Sequence, residues 1–266
     1  MLDFLTEQWQ KLTKKDVYER WWPFGIFTGV NRHSGVFNSN PLSNFLNGIF
    51  EEFGYTIKRK FVVSCVDVNS GAYVLFNETT EDPAKAIVSS ASIPFVFPSQ
   101  RFEDSNVVCM DGGTVWNTNL VSAVERCREQ VDEDSQITLD IIICDQKSMK
   151  EWGDKRSALA NYLRFKDIRD YNDGVQDIYE FKQAYPEVNF RHFLMPSEPL
   201  KGGLNLLNFD NSTNTYSMQM LGRLDGQNAQ KAGEGFYFQK MDEWRDTPGL
   251  QATFPKLSDY LNSLLQ

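Results

Sequence analysis

Histidine is nearly absent from this sequence of 266 residues, which contains only His33 and His192. A Ser-His-Asp or Cys-His mechanism would have to use one of them. Their surroundings, a polar loop and a predicted strand, favour an incidental role for both. Neither HxxxH nor HExxH spacing occurs, and a GxGxxG loop and a P-loop are also absent. These absences exclude the commonest zinc-hydrolase and nucleotide-binding classes, and we expect neither a metal nor a cofactor.

Cysteine is scarce too, and the four cysteines form no CxxC pair. Three of them, Cys65, Cys109 and Cys144, sit in apolar runs, where cysteine behaves as a small hydrophobe. The pattern predicts neither a disulfide framework nor a zinc knuckle, and it fits a reducing compartment.

Long apolar runs are missing as well. No stretch of about 18 apolar residues occurs that could span a membrane, and the opening MLDFLTEQWQ lacks the long apolar core of a signal peptide. We therefore expect a cytoplasmic protein without a transmembrane segment. A peripheral association with membranes or lipid droplets stays open.

The charge is acidic, with a net value of −9 from 36 acidic and 27 basic residues. Nucleic-acid binding rests on a basic footprint, so a nucleic-acid partner is excluded. A purely electrostatic attraction to an anionic membrane is also disfavoured. With 41% hydrophobic residues and 14% aromatic residues, the composition is that of a globular protein.

Predicted strands alternate with predicted helices along the chain, which favours an α/β layered fold with a mostly parallel central sheet flanked by helices. The apolar runs predict strands at about residues 60–68, 72–76, 106–110, 137–144 and 190–195, the first two joined as a hairpin through 69–71. Helical periodicity follows at about 119–130, 155–170, 175–184 and 204–224.

The strongest local signal for chemistry is Asp111, which directly follows a predicted strand and precedes Gly112 and Gly113. The end of a strand is where α/β sheets place functional groups. The two glycines let the backbone turn sharply and approach a ligand closely. The alternative is that Asp111 only begins a turn and caps the next segment. Polar Asn117 and Asn119 follow.

Five segments together resemble the patatin-like phospholipase family, from about Leu2 to Gln230. The most specific is AIVSSASIPFVFP followed by MDGGTVWNTNL, an apolar helix with a Ser-rich end, Ile-Pro, Phe-Pro and Asp-Gly-Gly. KFVVSCVDVNSGAYVLFNE resembles the strand–turn–strand pattern of the family. LTKKDVYERW and GVFNSNPLSNFL are similar to two further stretches.

The resemblance implies a Ser–Asp dyad that hydrolyses fatty acyl esters of phospholipids or neutral lipids, and so a carboxylic ester hydrolase. It gives Asp111 the role of the dyad aspartate, which accepts the serine proton. Gly112 and Gly113 are expected to serve through their backbone. No cofactor, metal or protein partner follows from it. The implied partner is a lipid ester or a lipid surface.

The sequence departs from the family at the nucleophile, because the Gly-x-Ser-x-Gly motif that carries the nucleophilic serine of the family does not occur in it. The two glycine pairs with that spacing have Phe27 and Leu224 at their centres. Ser92 and Ser34 are not flanked by glycines on a strand-to-helix turn, so neither is expected to replace it. We therefore expect residues 1–230 to be the C-terminal part of such a domain, lacking the N-terminal part that carries the oxyanion loop and the nucleophile. We expect this chain to be inactive as printed, with an appendage at 231–266.

A non-catalytic lipid- or protein-binding module is the alternative function. Its support is the aromatic loop formed by Trp21, Trp22, Phe24 and Phe27. Exposed aromatic side chains of this kind could enter a lipid interface. Packing under the sheet, or against the missing segment, is the preferred interpretation, because aromatic side chains are usually buried.

Overall fold

The structure, a computed structural model, describes residues 2–144, 157–198, 200 and 212–265. They divide into two compact units. The first takes in the described residues through Arg126 together with Ser212, and the second takes in the rest from Cys127 onward. Gln230, the predicted domain end, lies inside a helix of the second unit. The extent of the domain stays a prediction.

The first unit contains six helices in the part of the chain that is described. They are α1 (Leu2–Lys11), α2 (Lys14–Val17), α3 (Ile26–Arg32), α4 (Asn40–Glu52), α5 (Pro83–Ser90) and α6 (Leu120–Arg128). The start of α5 shows how local sequence sets a boundary. Asp82 accepts a hydrogen bond from the N–H of Lys85 at 2.9 Å, and Pro83 occupies the first turn, where its missing N–H is harmless.

Four strands form the sheet of the first unit. They are β1 (Val62–Asp67), β2 (Tyr73–Asn77), β3 (Gln100–Phe102) and β4 (Val107–Asp111), in the order β2-β1-β4-β3. The predicted β1–β2 hairpin is confirmed. Helix α5 packs on β1 and β4, and its small residues Ala84 and Ala86 are fully buried. Those small side chains let the helix lie close to the sheet.

The expected mostly parallel sheet is not found in the described residues of this unit. The three pairings among its four strands are antiparallel: β1 with β2, β1 with β4, and β4 with β3. An isolated bridge between Gly35 and Phe95 is parallel. The coarser expectation of a mixed α/β fold is confirmed. Parallel pairing is seen between β5 (Thr138–Ile142) and β6 (Asn189–Leu194) of the second unit.

Asp67 holds the β1–β2 turn against β4. Its carboxylate accepts the Ser70 hydroxyl at 2.5 Å and the N–H of Val108 at 3.0 Å. These two hydrogen bonds, the Ser70 bond first, lower the pKa of Asp67, so the group is ionised at neutral pH. A buried carboxylate thus accepts hydrogen bonds both from the β1–β2 turn and from β4.

A disulfide between Cys65 and Cys109 corrects the prediction that these cysteines are unpaired hydrophobes. Both residues are fully buried, on β1 and β4. Antiparallel pairing places them on the same face of neighbouring strands, with their Cα atoms 5.4 Å apart. Cys127 and Cys144 lie outside this bond. The predicted cytoplasmic location stays a prediction.

The second unit packs helices around the β5–β6 pair. The helices are α7 (Ala158–Ala184), α8 (Ser212–Ala232), α9 (Phe236–Asp246), α10 (Leu250–Thr253) and α11 (Leu257–Ser263). Its core includes Ile178, Phe193, Met241 and Leu261. The two helices predicted at 155–170 and 175–184 are one, α7. Residues 155–156 and 204–211 of the predicted helices lie outside the described residues.

Candidate active site

Asp111 lies at the carboxyl end of β4, as predicted, and is half-buried. Its N–H donates to the carbonyl of Ser92 at 3.0 Å, just beyond the end of α5. On β1 it faces Cys65. The two segments of the AIVSSASIPFVFP and MDGGTVWNTNL block are therefore joined by a backbone hydrogen bond at the candidate carboxylate.

The carboxylate of Asp111 is oriented by the turn that follows it. Its Oδ1 atom accepts the N–H of Gly113 at 2.7 Å, and residues Gly112–Thr114 form one turn of 3₁₀ helix. The predicted capping interpretation of Asp111 is thus confirmed. This bond also fixes the direction of the carboxylate, which a proton acceptor requires.

Gly112 is needed because the turn approaches β1 closely. A Cβ atom at Gly112 would lie 2.4 Å from Ser64 Oγ and 2.6 Å from Ser64 O. Gly113 is exposed, and its Cβ would meet only the ends of two side chains, at 3.0 Å or more. The first glycine therefore has a strict packing reason, and the second a weaker one.

We expect Gly112→Ala to destabilise the protein by about 1–3 kcal/mol, the usual cost of overpacking. The added methyl must displace the backbone carbonyl of Ser64 in the middle of a sheet. Chemical denaturation followed by circular dichroism measures the effect. Gly48→Ala is the matched control, because a Cβ there meets nothing within 4 Å and Gly48 lies in helix α4. If Gly112→Ala were as stable as Gly48→Ala, this result would contradict the close approach of the turn to β1.

Tyr73 belongs to the site and was missed in the sequence analysis. Its hydroxyl lies 2.7 Å from Ser64 Oγ, and its ring packs edge-on against Trp116, with the centroids 4.9 Å apart. Burial raises the pKa of Tyr73, and the nearby charge of Asp111 raises it further. Tyr73 is therefore a neutral phenol close to the candidate carboxylate. The predicted hairpin pairs the strand of Tyr73 with β1 but gives no position relative to β4, so the sequence carried no signal for the closeness of Tyr73 to Asp111.

Asn117 and Asn119 have different surroundings. Asn119 caps helix α6, accepting the N–H of Ser122 at 3.1 Å and donating to its hydroxyl at 2.7 Å. Asn117 lies beside the turn, with its Oδ1 3.1 Å from the position of a Cβ on Gly113. Neither arrangement is that of a reacting group. Asn119 is structural, and Asn117 lines the turn that carries Asp111.

The alternative serines and the histidines serve structural contacts. Ser92 is buried and its hydroxyl donates to the carbonyl of Val88 at 2.8 Å. Ser34 Oγ accepts the N–H of Ser99 at 3.0 Å. His33 stacks on Trp21 with ring centroids 3.6 Å apart, whereas His192 lies on β6 of the second unit. The contact of Ser92 is that of a helix-packing hydroxyl and not of an exposed nucleophile.

Exposed apolar side chains lie on both segments that meet at Asp111. Phe95, three residues after Ser92, is 60% exposed and has a φ of 73°, a left-handed conformation that is strained for a bulky residue. Val115 and Trp116, just after the turn, are 48% and 47% exposed. The backbone of Phe95 is held by a bridge to Gly35, and its carbonyl accepts the N–H of Val36 at 2.9 Å, whereas its ring is exposed. Exposed apolar side chains on these segments fit a surface that receives an apolar ligand.

The arrangement can accept a proton at an oriented carboxylate beside apolar surface. No cluster of three or more His, Cys, Asp or Glu side chains that could hold a metal ion is found in the described part of the chain. Across that same part, every helix is too short or too polar for a membrane span.

These features define a class of protein. It has an α/β fold in which an aspartate at the end of a strand is followed by a glycine turn and has apolar loops around it. Residues 1–124, slightly under half of the chain, match the family model described as patatin-like phospholipase. The resemblance drawn from the motifs is therefore confirmed for this part, which includes Asp111. The family is one of lipid acyl hydrolases. A comparison with curated proteins finds no match.

Proposed function

We propose that this chain carries the carboxylate of a patatin-like Ser–Asp site that hydrolyses fatty acyl esters of phospholipids or neutral lipids. The observation that supports it is the carboxylate of Asp111, held by the Gly113 N–H at the end of β4 inside the family match. The exposed Val115 and Trp116, directly after its turn, suit an acyl chain, as does the exposed Phe95, three residues after Ser92.

In the proposed mechanism Asp111 is the general base. As the serine oxygen attacks the ester carbonyl carbon, the serine proton passes to the Asp111 carboxylate. Asp111 then returns this proton to the leaving alcohol, and water hydrolyses the acyl-enzyme by the same route. Tyr73, neutral and close to Asp111, adds no competing negative charge.

The printed sequence contains no Gly-x-Ser-x-Gly, so the proposal assigns to it the base and not the nucleophile. We expect the chain by itself to be inactive. A fluorophosphonate probe, which modifies activated serines, should add no mass to the folded 266-residue chain in intact-mass spectrometry. A serine esterase treated in parallel controls for probe quality. An added mass mapped to one serine would show that the chain has its own nucleophile.

A non-catalytic binding module is the second candidate. Two observations favour it: the missing nucleophile motif, and the exposure of Trp22, Phe24 and Phe27. Their expected packing under the sheet is wrong, whereas packing against the missing segment stays a prediction. Trp21, in contrast, is half-buried. The two candidate functions differ in whether they require Asp111, because binding alone does not need a carboxylate at this position.

A further inference from the structure

Helix α3 buries small and polar residues and exposes large apolar ones, the reverse of the usual arrangement. Its buried residues are Thr28 and Gly29, whereas Ile26, Phe27 and Val30 are exposed. A helix that packs on a core normally buries its large apolar side chains and exposes its polar ones. The large side chains of α3 therefore do not contribute to the core.

The segment is held firmly from its inner side. A Cβ on Gly29 would lie 2.4 Å from the carbonyl oxygen of Val36, so α3 lies directly on that backbone. The indole N–H of Trp21 donates to the carbonyl of Gly35 at 3.1 Å, and its ring stacks on His33. The outward direction of the large side chains is thus built into the fold.

These outward side chains form one aromatic face, defined by Trp22, Phe24, Ile26, Phe27 and Val30. Trp22, Phe24 and Phe27 are 89%, 76% and 77% exposed. Contiguous exposed apolar side chains of this kind mark an interaction surface. Trp and Phe are the residues that enter the interface between lipid headgroups and acyl chains.

The charge around the aromatic face is opposite to that of the chain as a whole. No Asp or Glu occurs at residues 20–50, although 36 of the 266 residues are acidic. Arg20 and Arg32 flank the face on either side, and both are exposed. The face therefore lies in a segment, residues 20–50, whose charged side chains are Arg20 and Arg32, and these complement an anionic lipid surface.

We infer that the aromatic face docks the first unit on an anionic phospholipid membrane, with the aromatic side chains in the interface and the two arginines at the headgroups. A second copy of the chain fits less well. A two-fold contact would set the same surface against itself and bring the arginines of both copies together without carboxylates from residues 20–50. The inference concerns binding and holds whether or not Asp111 acts in catalysis.

Vesicle flotation of the full 266-residue chain tests the inference. The vesicles contain phosphatidylcholine alone or phosphatidylcholine mixed with phosphatidylserine. Trp22→Ala/Phe24→Ala/Phe27→Ala removes the centre of the aromatic face. Tyr162→Ala/Phe165→Ala/Tyr216→Ala is the matched control, because it removes three exposed aromatic side chains from the second unit. All six side chains are exposed, so the fold should survive in both variants.

We expect the unaltered chain and the control to float with the phosphatidylserine vesicles, and the aromatic-face variant to lose at least tenfold in partition coefficient. Arg20→Gln/Arg32→Gln should lower it roughly thirtyfold, since each cation near an anionic surface contributes about 1 kcal/mol. Three results would overturn the inference: no flotation of the unaltered chain, equal flotation of the aromatic-face variant, or a dimer in light scattering that this variant alone dissociates. The last would assign the face to a second copy.

Discussion

Asp111→Asn should lower kcat for ester hydrolysis by about 10²–10⁴-fold in any form of the protein that carries a nucleophilic serine, because general-base catalysis is worth that much. An amide cannot accept the serine proton. Its oxygen can still accept the N–H of Gly113, which now bonds Asp111 Oδ1 at 2.7 Å. The variant should therefore lose activity and keep its fold.

The measurement is kcat on a p-nitrophenyl ester, with a melting curve of each variant beside it. Asp104→Asn is the control: Asp104 is an exposed acid of the same unit, outside the Asp-Gly-Gly turn. It should leave kcat unchanged. Full activity of Asp111→Asn at an unchanged melting temperature would exclude Asp111 as the base. The fluorophosphonate and flotation results do not depend on this outcome.

The largest expected change in stability comes from the Cys65–Cys109 bond, which joins residues 44 apart in the chain. Closing a loop of this length restricts the unfolded chain, and its loss costs roughly 4 kcal/mol. Cys65→Ala/Cys109→Ala should therefore lower the free energy of unfolding by about this amount. Denaturant unfolding without reductant measures it.

Thiol counting provides the decisive check. In denaturant without reductant, two cysteines should react with a maleimide, and all four should react after reduction. Cys127→Ala is the matched control, because Cys127 lies outside the disulfide, and its effect on stability should be small. Four reactive thiols before reduction would show that the bond does not form in solution.

Local signals predicted much of the first unit. The apolar run before Asn69–Gly71 predicted the β1–β2 hairpin, because a turn signal acts within a few residues. Asp82 and Pro83 set the start of α5 in the same local way. The direction of pairing could not be obtained this way. β4 pairs with β1 although Cys65 and Cys109, which these strands carry, are 44 residues apart in the chain. The residues within either strand do not show whether its neighbour runs parallel or antiparallel. The prediction of a mostly parallel sheet came from element alternation alone.

The same limit explains the errors at the site and at α3. The Asp111 turn is local and was predicted, whereas the closeness of Tyr73 to Asp111 depends on the strand order, in which β1 lies between β2 and β4. The Cys65–Cys109 bond also depends on that order. Phe27 was expected to be buried because large apolar side chains usually are, yet here Gly29 takes the inner position. A rule of composition cannot show which side of a short helix faces the protein.

Asp67 also determines which face of the sheet carries the candidate carboxylate. Side chains alternate along a strand, so a slip of β4 by one residue against β1 would put Met110 where Asp111 now lies and turn Asp111 to the opposite face. By accepting the N–H of Val108, Asp67 makes that slip unfavourable. Asp67 lies outside the candidate site, but by holding the register of β4 it keeps Asp111 on its present face of the sheet.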